Sequence, residues 1–80
     1  MIGESDRSFL NIGFKQVKRA LDEKKAVKVF LSKDCDDKMR VSVEYECKSN
    51  DVPLFYIDSM TELGDMCGID VKASCAVVTK

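Results

Sequence analysis

The apolar runs of this chain are short, and that limits what it can build. Phe9-Leu10-Asn11-Ile12, Ala26-Val27-Lys28-Val29-Phe30-Leu31, Val52-Pro53-Leu54-Phe55-Tyr56-Ile57 and Ser74-Cys75-Ala76-Val77-Val78-Thr79 are all of strand length. The first reads as an edge strand. The third carries Pro53 at its start, where a missing N–H matters least. Between the first two runs, Phe14, Val17 and Leu21 fall at helical spacing with Ala20 beside them, while Lys15, Lys18, Arg19 and Asp22 fall on the other side. Before the last run, Ser59-Met60-Thr61-Glu62 has the form of a capping box, in which Ser59 accepts from the third helical amide and Glu62 reaches back. The helix it starts turns Met60, Leu63 and Cys67 inward, and Gly68 stands where a left-handed C-terminal cap belongs. Strands alternating with helices at this length predict an α/β fold, a three-layer α-β-α sandwich around a small mixed four-stranded sheet.

Residues 34–50 carry two patterns. Val41, Val43, Tyr45 and Cys47 alternate with polar residues, as in a strand, and this pattern is slightly the stronger. Met39, Val43 and Cys47 also form one helical stripe, with Asp34 or Asp36 available as an N-cap.

Eighty residues predict one small domain over 1–80 with a modest core. At 45% hydrophobic and 34% charged, the composition argues against disorder. No apolar run approaches the roughly 20 residues of a membrane span, so no membrane partner is expected. The start, MIGESDRSFLNIG, lacks a basic region followed by an apolar stretch, which points to a cytoplasmic protein. The four cysteines, at 35, 47, 67 and 75, form no C-x-x-C pair, and there is no histidine. No metal, cofactor or catalytic residue is therefore expected, and the cysteines read as small core residues. Cys35 stands beside acids, which would raise its pKa, and no imidazole is present to activate any thiol. The chain does not read as an enzyme.

Net charge is −1, but it is unevenly spread. Residues 13–28 carry a local +4 and residues 29–70 a local −6. The basic segment is either a solvated helix face or an electrostatic footprint for an anionic partner.

Two motifs resolve the choice. Gly13-Phe14-Lys15-Gln16-Val17-Lys18-Arg19-Ala20-Leu21 resembles the Gly-x-Lys/Asn-Gln/Glu-x-x-Lys-Ala helix start of the kink-turn RNA-binding ribosomal protein superfamily, which includes the archaeal L-seven-Ae and eukaryotic L-thirty-e types. Ser59-Met60, Leu63-Gly64, Cys67-Gly68-Ile69-Asp70-Val71 and Ala73 resemble the second signature of that superfamily, and Lys33-Asp34-Cys35-Asp36 resembles its acidic turn. Lys-Gln at 15–16 is most similar to the bacterial YbxF-type members. The resemblance runs from about Gly13 to Val78 and implies a helix over residues 36–49, against the alternation there.

It also implies a function. A kink-turn is a bent RNA duplex with tandem sheared G·A pairs beside a three-nucleotide bulge. Gly13 would let the backbone come close, Lys15 and Gln16 would read guanine edges, and Arg19 with Lys18 would hold phosphates. Ile69 and Val71 would give the flipped bulge nucleotide an apolar platform. Gly68 and Ala73 would keep the backbone low enough to touch RNA, and Lys72 would add a phosphate contact. The implied partner is structured RNA, ribosomal RNA among the candidates, bound by a monomer. Two positions depart from the pattern. Asp65 stands where close relatives often carry a base, and Phe14 replaces a smaller residue, commonly Thr. With the acidic 34–70 segment, these keep a second expectation open: a protein-interaction domain on the same fold, with RNA binding weakened or lost.

Overall fold

The computed structural model describes residues 9–80. In chain order the elements are β1 (Leu10–Ile12), α1 (Phe14–Asp22), β2 (Ala26–Ser32), α2 (Asp37–Ser49), β3 (Leu54–Ile57), α3 (Met60–Cys67) and β4 (Cys75–Thr79). The strands form one mixed sheet in the order β1-β4-β2-β3. β4 runs antiparallel to both β1 and β2, and β2 runs parallel to β3.

Period-two alternation divides the core. On β2, Val29 and Leu31 face one side and Phe30 the other; on β4, Cys75 and Val77 oppose Ala76 and Val78. The first side buries Val17, Ala20 and Leu21 of α1 with Val43 and Cys47 of α2. The second buries Leu63 of α3, with Ile57 and Ala73. The result is the expected three-layer sandwich, with two helices on one face and one on the other.

Residues 37–49 are helical, as the resemblance implied and the alternation did not. Parallel pairing of β2 with β3 requires a crossover, and a helix is its usual form. Met39 packs against the core beside buried Val43 and Cys47, whereas Val41 and Tyr45 are 59% and 70% exposed. Asp36 caps the helix, accepting from the Lys38 amide at 2.8 Å. The other candidate cap, Asp34, serves α3 instead: it accepts from the Met60 amide at 2.9 Å.

In α3, Ser59 accepts from the Glu62 amide at 3.1 Å, as expected. Gly68 is left-handed at φ 76°, and its N–H donates to Asp65 while that of Ile69 donates to Gly64, at 3.0 and 3.1 Å. This pair of bonds is a Schellman termination. The expected inward stripe holds in part. Leu63 is fully buried and half-buried Cys67 packs against the same cluster, whereas Met60 is half-buried outside it and Gly64 takes a buried place.

Cys35, Cys47 and Cys75 are buried and Cys67 is half-buried; none of the four forms a disulfide. Burial pushes the Cys47 and Cys75 thiols from 9.0 up to about 11 and raises Cys35 as well. For Cys35 the leading cause is desolvation, with the neighbouring Asp34 the smallest contributor. The folded state thus keeps protons on Cys47 and Cys75 at a pH where unfolded thiols have lost theirs. Their contribution to stability is complete below pH 9 and falls as pH rises from 9 towards about 11. At roughly 1.4 kcal/mol per pH unit of difference, the pair should remove a few kcal/mol across that window. Denaturant melts at either end of the window check this; equal midpoints would contradict it. Iodoacetamide at neutral pH should modify Cys67 first, leaving the three buried thiols for unfolding.

Candidate nucleic-acid interface

Register places the important loops together. Ile12 pairs with Ala76, Leu31 with Cys75, and Ser32 with Ile57. The C-terminal ends of β1, β2 and β3 therefore lie beside the N-terminal end of β4. Each of those three strands feeds a helix, so three helix N-termini and the 68–74 loop gather at one end of the sheet. Ser32, fully buried, fastens this end: its N–H and hydroxyl both donate to the Ser74 carbonyl, at 2.9 and 3.0 Å.

The three helix starts differ. α2 and α3 have side-chain caps, Asp36 and Ser59. α1 begins at Gly13 with no side-chain cap and no acid in its first turn. The first turn of α1 thus has neither a side-chain cap nor an acid beside its positive dipole end, an arrangement suited to anionic groups. Gly13 has φ 111°, a conformation that favours glycine, and a Cβ there would meet nothing within 4 Å. The backbone is open to close approach at this point. The Gly13 N–H itself is not free, since it donates to the Cys75 carbonyl at 2.9 Å. That bond joins the first motif to the strand that follows the second.

Lys15, Gln16 and Arg19 are exposed on α1. Gln16 and Arg19 border a hollow of about 290 Å³ with Asn11, on the side of β1. Lys15 and Arg19 border a second groove with Phe14 and Lys18. Lys18 is half-buried, its ammonium 5.7 Å from the centroid of the Phe14 ring.

In the 68–74 loop, Val71 is 69% exposed and Lys72 is exposed. Ile69 presents less surface than Val71. It is half-buried and packs against the Leu63 cluster, so Val71 is the side chain that stands clear. Ala73 is 3% exposed, and its N–H donates to the Met60 carbonyl at 3.1 Å. The Gly68 amide is likewise bonded within α3. These two N–H groups are thus committed inside the protein. Gly68 and Ala73 shape the loop.

The residue that brings the loop close is Gly64. A Cβ there would overlap the Val71 carbonyl oxygen and stand 3.2 Å from its carbon. A glycine inside a helix, where it costs about 1 kcal/mol relative to Ala, was the available sign. Asp65 is exposed on α3. Among the described residues, no group of three or more Cys, Asp or Glu is placed to hold a metal.

The chain belongs to the ribosomal protein L7Ae/L30e/S12e/Gadd45 family, whose model matches residues 4–80. It is 36% identical over 76 residues to an RNA-binding protein of Halalkalibacterium halodurans, covering 95% of this chain and 93% of that one. It is 35% identical over 69 residues to the RNA-binding protein YbxF of Geobacillus stearothermophilus, covering 86% and 84%. These relatives are named as RNA-binding proteins, not as enzymes. Two solved structures share the fold. A Giardia lamblia 15.5kD RNA binding protein aligns with TM-score 0.78 at 23% identity, over 91% of this chain and 62% of that one. A protein of unknown function from Bacillus halodurans aligns with TM-score 0.87 at 22% identity, over 99% and 80%.

Proposed function

We propose that this protein binds structured RNA and selects the kink-turn. The observation that carries this reading is the pairing of the two motifs. The uncapped start of α1, bearing Lys15 and Gln16, lies beside the loop that exposes Val71 and Lys72. The first-turn amides and the Lys15 and Gln16 side chains suit guanine O6 and N7 at tandem sheared G·A pairs. Arg19 and Lys18 suit the backbone phosphates, which position the protein without reading sequence. Val71 offers apolar surface to an unstacked bulge base, a common way for proteins to take unpaired nucleotides. Gly13, Gly64, Gly68 and Ala73 set the backbone that makes both approaches close. Binding would draw the bent conformation out of a flexible RNA ensemble. No catalytic step is involved, and a cytoplasmic setting is part of the same reading.

Lys15→Ala and Gln16→Ala should each weaken binding to a kink-turn RNA by about 1–3 kcal/mol and blunt discrimination of the G·A pairs. Arg19→Ala should weaken binding to all RNAs alike and lower the salt slope by about one. Titrations at several salt concentrations separate the two classes; identical behaviour would contradict the division into reading and positioning residues.

One observation favours a second reading. Val41 and Tyr45 project from α2, one turn apart, within the acidic 29–70 segment. An exposed apolar pair among acids suits a basic protein partner. Binding that survives only at low salt and ignores the G·A pairs would favour it.

A further inference from the structure

The groove on the flank of α1 shares Lys15, Lys18 and Arg19 with the surface assigned above and adds the ring of Phe14 to it. It has a volume of about 430 Å³ and is lined by Phe14, Lys15, Lys18, Arg19, Asp22 and Glu23. Its floor is aromatic. Phe14 is half-buried, packed on one side against the core cluster that holds Val17 and Leu21. Packing fixes the ring while leaving part of it at the surface. The Lys18 ammonium stands 5.7 Å from the ring centroid, near the outer limit of a cation–π contact. A flexible lysine can leave that position when a better partner arrives. Three cations border the aromatic surface, and Lys15 also belongs to the uncapped end of α1, so the groove continues from there.

We propose that this groove is an accessory RNA subsite that takes one unpaired nucleotide. Its base or ribose lies on Phe14, and its phosphate is held by Lys18 and Arg19. The proposal rests on the RNA-binding reading and extends it to a nucleotide beside the bent element. An aromatic surface with adjacent cations matches the two parts of a nucleotide, and such stacking tolerates any base. Asp22 and Glu23 close the far end with negative charge, and Glu23 is paired with Lys25 at 3.7 Å. A second phosphate would meet those carboxylates, which limits the subsite to a single nucleotide. Phe14 thereby acquires a role in affinity.

The test uses the full chain and two kink-turn RNAs, one blunt and one with a single unpaired nucleotide added at either helix end. The added nucleotide should improve affinity by about five- to thirtyfold at one end only. Phe14→Leu, which retains apolar packing, should abolish that increment while leaving the salt slope and the affinity for the blunt RNA unchanged. Phe14→Tyr should retain the increment. Lys18→Gln should reduce the salt slope by about one. A 4-thiouridine at the added position should crosslink to the peptide that ends at Lys15. Circular dichroism and thermal melts of each free variant confirm its fold. Tight binding of the blunt RNA with no increment from either extension would overturn the subsite and leave the kink-turn reading standing. So would a crosslink confined to residues 68–74. Failure to bind either RNA would overturn both.

Discussion

Phe30→Ala is expected to cost about 3–5 kcal/mol, the range for truncating a fully buried phenylalanine. Phe30 heads the fully buried side chains by volume, and its ring stacks on Phe55 at 5.7 Å. It forms the centre of the layer that holds α3, with Ile57, Leu63, Ala76 and Val78 around it. At roughly 0.05–0.15 kcal/mol per residue, an 80-residue chain has about 4–12 kcal/mol in all. The substitution therefore removes a large part of its stability. The loss should also be local in its first appearance. Hydrogen exchange should accelerate in α3 and residues 68–74 before α1 and α2, which pack on the opposite face. Uniform acceleration would show that the two layers do not open separately. Chemical denaturation gives the size of the effect.

Gly64→Ala is expected to damage the loop more than the helix. Within α3 an alanine gains up to about 1 kcal/mol of helix propensity. Against this, its Cβ would overlap the Val71 carbonyl oxygen, with the Lys72 Cα at 3.5 Å. These are backbone atoms and cannot rotate aside. Overpacking of this kind costs about 1–3 kcal/mol, so the net outcome is a loss. The loop must move away from α3, carrying Val71 and Lys72 with it. RNA affinity should fall in the same variant. Amide chemical shifts should change most over residues 69–73. A variant more stable than the parent, with unmoved loop resonances, would contradict the contact.

The sheet was legible because its strands are short and strongly apolar, and β2 and β4 are buried on both faces. The α3 boundaries were legible because Ser59 and Gly68 each satisfy helix-end groups locally. Residues 37–49 were not legible from pattern. Val41 and Tyr45 are apolar yet exposed, so their spacing with Val43 and Cys47 imitated a strand. The crossover requirement that decides the matter depends on which strands pair, and pairing is not a local property. The same limit applied at the interface. Lys15 and Arg19 could be placed on the outer side of α1 from helical spacing, and Gln16 from the resemblance. The half-burial of Ile69 and the inward bonds of Gly68 and Ala73 depend on how the loop folds back on α3. Asp34 shows the effect over a longer separation, since it caps a helix 26 residues away.

The central claim is that the start of α1 and the 68–74 loop together select a kink-turn. The most direct measurement is a pair of titrations at about 150 mM salt, since affinity depends steeply on salt. One uses a kink-turn RNA; the other uses the same RNA with its tandem G·A pairs replaced by Watson–Crick pairs. The account predicts at least about a tenfold preference for the kink-turn, or roughly 1.4 kcal/mol. Equal and weak binding to both would contradict it, and would mean that the fold serves a partner other than this RNA.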